Sequence, residues 1–219
     1  GARVVYRSLD VSDAAAVSQW MDGIYAEQGQ LHGLIHSAGV IRDSLIMHKS
    51  ASDFAQVLAA KVAGIENLDQ AIGERPLDFM LCCSSQAAMG NLGQADYASA
   101  NAWMDAYMHY RQNLAADGKR KGRSLSINWP LWRDGGMGLA PVIEQQLREQ
   151  LGIVPMPQAE GLDSLRQLLT QSVHPQAWVV YGQLSRLAGI GLTPAVPAGL
   201  WPRLGSCRAP VDLWSVVEA

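Results

Sequence analysis

The run Phe79-Met80-Leu81-Cys82-Cys83 does not alternate apolar with polar side chains. Residues 78–83 therefore read as a strand covered on both faces, the setting of a parallel sheet flanked by helices. Segments of helical period stand on either side. Residues 51–72 carry Phe54, Val57, Leu58, Val62, Ile65, Leu68 and Ile72 as one stripe, opened by a capping box at Ser50-Ala51-Ser52-Asp53. A second helix is predicted over 95–116, with Met104 and Met108 on its inner side as core. Upstream, residues 3–7 (RVVYR) and Leu34-Ile35-His36 are predicted strands, separated by a helix over about 12–28 carrying Val17, Trp20, Met21 and Ile24. Downstream, strands are expected at Ser124–Asn128 and 177–181, and helices at 141–151 and 158–171. Strand, helix and strand of these lengths make a βαβ unit, so the fold class is α/β, a parallel sheet with helices on both faces.

Lys61 falls inside the 51–72 stripe rather than on its polar back. A buried ammonium is costly unless paired or hydrogen-bonded; a snorkelling stem or a structural salt bridge would each account for it. A chemical role is the other reading. Ser84 stands at the carboxyl end of the 78–83 strand, the edge at which open α/β sheets bind ligands. Tyr97 and Asn101 lie one helical turn apart, on one face of the following helix. A tyrosine ionises near about pH 10, and a nearby ammonium favours the phenolate, which gives a proton donor poised closer to neutral pH. A serine hydroxyl beside such a pair can hold a carbonyl oxygen.

Together, Ser84, Tyr97, Lys61 and Asn101 resemble the catalytic tetrad of the short-chain dehydrogenase/reductase family. Most members place the lysine four residues after the tyrosine. Here that position is Asn101, and the lysine comes from AAKVAG at 59–64. This exchange resembles the ketoreductase domains of modular polyketide synthases. So do HSAGVIRD at 36–43, FMLCCSS at 79–85, GNLGQADYASANA at 90–102 and SINWPLW at 126–132. The likeness covers roughly residues 3–187. The NWPLW and GGM wording most resembles bacterial synthases served by a freestanding acyltransferase.

The resemblance implies a Rossmann-like fold and an NADPH-dependent reduction of a 3-ketoacyl thioester, carried on the phosphopantetheine arm of an acyl carrier protein. Ser84 and Tyr97 would hold the ketone oxygen, Tyr97 would deliver the proton, Lys61 would stabilise the phenolate, and Asn101 would position Lys61 or a relay water. Asp10 with Val11 would sit near the cofactor adenine, Ala38 and Gly39 near the ribose with Tyr97 and Lys61, and Trp129 with Pro130 beside the nicotinamide. Taken alone, Asp10 could cap a helix and Gly39 could turn the chain. Asp43 ends the loop Ile41-Arg42-Asp43 at a position that, in this group, marks one stereochemical class. The other class carries tryptophan eight residues before the tyrosine, where this chain has Met89. Both signs imply a D-configured 3-hydroxy product, although Asp43 could instead be a surface carboxylate paired with Arg42. Met137, in the glycine-rich hinge RDGGMGLA at 133–140, is expected against substrate, with the 141–151 helix as a lid.

The formal charge of −3 leaves no basic footprint for nucleic acid. No apolar run is long enough to span a bilayer, and no leader is visible. Cys82, Cys83 and Cys207 lack metal-ligand spacing, so no metal is expected; reduced thiols imply a cytoplasmic setting. Residues 1–190 are expected to form the catalytic domain, and 191–219, with Pro194, Pro197, Pro202 and Pro210, an extension or interdomain linker partly docked through Trp201, Leu213 and Trp214. No glycine-rich pyrophosphate loop lies near the start, and the first strand corresponds to the third of the family fold. A longer polypeptide, with neighbouring synthase domains, is favoured over a partner that completes the sheet. Two rivals stand: a non-catalytic structural module, suggested by the absent loop, and a nucleotide-sugar epimerase or alcohol dehydrogenase, which would be expected to keep Y-x-x-x-K.

Overall fold

The computed structural model describes residues 2–135, 140–183 and 186, and the backbone of Asp212–Val217. In chain order the elements are α1 (Ala14–Gln28), β1 (Gly33–His36), α2 (Ala51–Leu58), α3 (Gly64–Ile72), β2 (Phe79–Ser85), α4 (Ala95–Ala116), β3 (Arg123–Trp129), α5 (Pro141–Leu151), α6 (Gln158–Gln171), β4 (Gln176–Gly182) and β5 (Asp212–Val217). The registered strand pairs β1–β2, β3–β4 and β4–β5 are all parallel. That is the arrangement the unalternating run at 79–83 demands. The chain divides into two compact units, one of residues 1–82 with 87–124, the other of 83–86 with 125–219.

In the first unit, local signals set the helix ends. Asp13 caps α1 by accepting from Ala16 N–H at 3.0 Å, and Ser50 caps α2 by accepting from Asp53 N–H at 3.0 Å. The core joins Val17 and Met21 of α1, Ile65, Leu68 and Ile72 of α3, the strand residues Leu34, Met80 and Cys82, and Met104 with Met108 of α4. Burying each such side chain contributes about 1.5–3 kcal/mol. Under this core Asp69 is fully buried and accepts from Arg111 Nε at 2.7 Å, Arg120 Nε at 3.0 Å and the Tyr107 hydroxyl at 2.9 Å. Burial and the Asp69 charge push the Tyr107 phenol well above its ordinary pKa. Arg111 also donates to Ser124 Oγ and to the carbonyls of Lys121 and Gly122, so one guanidinium ties α3, α4 and the turn into β3 together.

The second unit buries Leu125, Ile127, Val179, Val180 and Tyr181 on β3 and β4. The Trp132 indole fills the place of a side chain at Gly161 of α6, where a Cβ would lie 2.2 Å from the ring. Helix α5 ends at Gly152, whose φ of +73° suits glycine.

Three expectations change. Residues 3–7 are not a strand: Val4, Val5 and Tyr6 are exposed, and no described strand registers with them. Their composition favours extended chain, but a strand exists only through its pairing. The helix expected over 51–72 is interrupted by a π-helical turn at Ala59–Ala63. Within 191–219, expected as an extension or linker docked in part through Leu213 and Trp214, residues Asp212–Val217 form β5. Met137 lies outside the described residues.

Breaking a buried ion pair from one side costs about 3–5 kcal/mol, whereas a part-exposed partner contributes less. Arg111→Leu should therefore lower the urea-unfolding free energy by about 3 kcal/mol or more, and Arg120→Leu, with a side chain 20% exposed, by about 1 kcal/mol. Equal losses for the two would contradict this ranking.

Candidate active site

The π turn is where the sequence becomes chemically unusual. Gly64 N–H bonds back to Ala59 O, five residues earlier, and this wider turn carries Lys61 into the interior, where it is 4% exposed. Insertions of this kind recur at functional sites. Its Nζ lies 5.1 Å from the centroid of the Tyr97 ring, within cation–π range. Tyr97 is itself buried with Val57 and Ala100, and Asn101, also buried, donates from Nδ2 to Tyr97 O at 2.7 Å. Lys61, Tyr97 and Asn101 are thus gathered in the first unit.

Glycines make room for this arrangement. A Cβ on Gly39 would stand 3.1 Å from Lys61 Cε, so the loop after β1 passes close along the lysine stem. A Cβ on Gly64 would come within 2.8 Å of Val11 Cγ2 and 3.0 Å of His36 Cε1, which explains the final glycine of AAKVAG by close approach. His36, at the end of β1, points its Nε2 at Lys61 O, 3.3 Å away. A carbonyl only accepts, so Nε2 carries the hydrogen and the ring is the neutral donor. Burial, reinforced by the Lys61 charge, lowers the His36 pKa to about 4.

Other expected residues of the first unit take varied places. Asp10 is exposed and accepts from Ser12 N–H at 2.9 Å and Ser12 Oγ at 2.7 Å, bonds that hold its carboxyl below the usual range. Val11 receives Asn67 Nδ2 on its carbonyl at 3.0 Å. Ala38 is half-buried and Met89 is 77% exposed. Asp43 accepts from Gln94 Nε2 at 3.1 and 3.0 Å, while Arg42 turns to Gln56 Oε1 and Ile41 O. In the second unit, buried Ser84 accepts from Asn128 Nδ2 at 3.1 Å, and Asn128 Oδ1 accepts from Gln176 Nε2 at 2.9 Å. Trp129 and Pro130 are buried, with Trp129 edge-on to Trp132 at 5.1 Å.

Sequence reasoning did not find Lys49, Asp96 or Asn128 as parts of these surroundings. Lys49 precedes a helix cap and Asp96 precedes Tyr97, and neither breaks a periodic pattern.

The family model for the KR domain matches residues 1–134. This chain belongs to the ketoreductase domains of bacterial polyketide synthases. It is similar to polyketide synthase PksN of Bacillus subtilis strain 168, 43% identical over 188 residues, covering 85% of this chain and 3% of that protein. With polyketide synthase ThaG of Burkholderia thailandensis it shares 40% identity over 218 residues, 97% of this chain and 4% of that protein. Among solved structures, a ketoreductase domain from the bacillaene assembly line matches with a TM-score of 0.80 and 42% identity, over 85% of this chain and 45% of that one. The chain therefore spans only a small part of these curated relatives and under half of the solved ketoreductase. The likeness confirms a Rossmann-like parallel α/β fold.

His36 gives this ketoreductase a pH signature. Its folded pKa is depressed, so between about pH 6.5 and 4 the unfolded chain binds a proton that the folded one refuses; the stabilisation is full above 6.5 and is lost as pH falls toward 4, by up to about 3 kcal/mol. Replacing His36 with Gln should flatten the dependence of urea-unfolding free energy on pH across that window. A slope unchanged by the substitution would contradict the burial of a neutral ring.

Proposed function

We propose that this ketoreductase reduces a 3-ketoacyl thioester, held on the phosphopantetheine arm of an acyl carrier protein, to the D-3-hydroxyacyl thioester, with NADPH as reductant. The observation that carries the reading is the buried Lys61 ammonium 5.1 Å from the Tyr97 ring centroid, on a π turn that sets it there. Converting a ketone to an alcohol needs a hydride at carbon and a proton at oxygen. The nicotinamide, when bound, supplies the hydride.

The chain's own residues supply the rest. Tyr97 donates its phenolic proton to the ketone oxygen as charge develops there, and Lys61 stabilises the phenolate left behind. Ser84 is assigned the second hydrogen bond to that oxygen, from its place in the family pattern at the carboxyl end of β2. Asn101, by holding the Tyr97 carbonyl, fixes the turn that presents the phenol. The residues fit the cofactor class: Gly39 lets the loop after β1 run close along the Lys61 stem, so that backbone and ammonium could meet a ribose together, and the exposed Asp10 carboxylate suits the adenine end. Asp43 and Met89 favour the D product by their positions in the pattern, and Met137 is assigned to the substrate. The relatives' length supports a setting among other synthase domains, which would deliver and remove the carrier.

The test follows NADPH absorbance with a 3-ketoacyl thioester surrogate and determines the configuration of the product. Tyr97→Phe should lose roughly 100-fold or more in turnover while its unfolding midpoint stays at the parent value. Retained turnover would falsify the proton-donor role, and an L product would remove Asp43 as the stereochemical determinant.

A further inference from the structure

Lys49 and Asp96 form an ion pair of 2.8 Å whose side chains are 2% and 0% exposed. The chemistry above uses neither. A charged pair withdrawn from water to this degree contributes less to stability than to holding one geometry, so what it fixes is the informative question. The Lys49 ammonium also donates to Arg42 O at 2.5 Å, and the other Asp96 oxygen accepts from Tyr97 N–H at 2.8 Å. One ammonium thus ties the residue before Asp43 to the residue before Tyr97. Three further bonds run the same way: Gln94 Nε2 to each of the two Asp43 oxygens, and Ser44 N–H to Gly93 O at 2.9 Å. The carboxylate also sits in the first turn of α4, where the helix dipole favours it.

The contrast with Asp69 and Arg111 is instructive. That network joins helices to each other and to a turn behind the core. The Lys49 pair anchors an exposed loop, residues 41–48, to the start of the helix that carries the proposed proton donor. We propose that the Lys49–Asp96 pair is a positioning device that holds the Asp43 loop against the first turn of α4 and so sets which face of the ketone carbon is open to hydride while its oxygen meets Tyr97. This rests on the reductase reading above. Facial selectivity is a difference between two transition-state free energies, and a displacement of about 1 Å in a positioning loop is enough to erode it.

The experiment uses the ketoreductase within its complete polypeptide, a 3-ketoacyl thioester surrogate and chiral analysis of the 3-hydroxy product. The double variant K49M/D96N removes both charges together and leaves no buried ion unpaired. Gln94→Ala releases Asp43 without touching the pair. The ratio of the two enantiomers should fall roughly tenfold or more in the double variant and by a smaller factor in Gln94→Ala, with the KM for NADPH unmoved in both. An undiminished ratio in the folded double variant, or in Gln94→Ala should the double variant not fold, overturns the proposal. A parent protein that reduces no thioester overturns instead the reductase reading beneath it.

Discussion

A lysine side chain buried against a tyrosine ring constrains everything near it. Taking an ammonium out of water costs several kcal/mol unless neighbouring groups compensate. At Lys61 the compensation is local and specific: the face of the Tyr97 ring lies beneath the ammonium. The same charge, together with burial, forbids a second cation close by, which is why His36 is neutral and able to donate to the Lys61 carbonyl. That carbonyl also accepts from Gly64 N–H, so it receives one donor from within the turn and one from the end of β1. Gly64 lets the helix approach Val11 and His36 closely. Strand end, π turn and glycine thus meet around one charge.

Two buried ionic groups of the described residues in the first unit bear comparison with it, and their balance differs. Asp69 faces two guanidiniums and a phenol, with the excess cation reaching the surface at Arg120. Lys49 and Asp96 are one to one and almost wholly enclosed. Arg111 and Asp69 are enclosed as well, 2.7 Å apart with both side chains 0% exposed, and only the Arg120 arm of that network reaches solvent. Water can replace that arm when it is displaced, but neither enclosed pair has such a substitute. One enclosed pair stands beside the backbone of Tyr97 and the other at the back of the core.

Much of this was legible before any coordinates. Helices α4, α5 and α6 run over the residues their patterns predict, because apolar period is local, and at α5 the opening Pro141 and closing Gly152 agree with it. Lys61 stood out because a cation within an apolar stripe contradicts the stripe. What escaped depends on partners distant in the chain. Whether Val4, Val5 and Tyr6 join a sheet is decided by a neighbouring strand, not by their own propensity. Asp212–Val217 becomes a strand only through its register with Ala177–Gly182. Lys49 and Asp96 are 47 residues apart and ordinary in their own segments. No periodicity announces such a pair; only folding brings it together.

Ser84 lies at the end of β2, where its place after the apolar run puts it, but the orientation of its hydroxyl has no sequence signal. Its hydroxyl could donate or accept. The Ser85 carbonyl decides the matter: it can only accept, so the Asn128 amide turns its Nδ2 toward it and toward Ser84, and Asn128 Oδ1 accepts from Gln176 Nε2. Ser84 Oγ is therefore the acceptor in that bond, and its own hydrogen is directed to a different partner. For a group assigned to hold a ketone oxygen this is the required polarity, since the oxygen can only accept. Asn128 sits on β3 and Gln176 on β4, in the parallel register that sets Ser126 against Gln176. The Asn128 amide is thus held from both sides, by β2 through the Ser85 carbonyl and by β4 through Gln176.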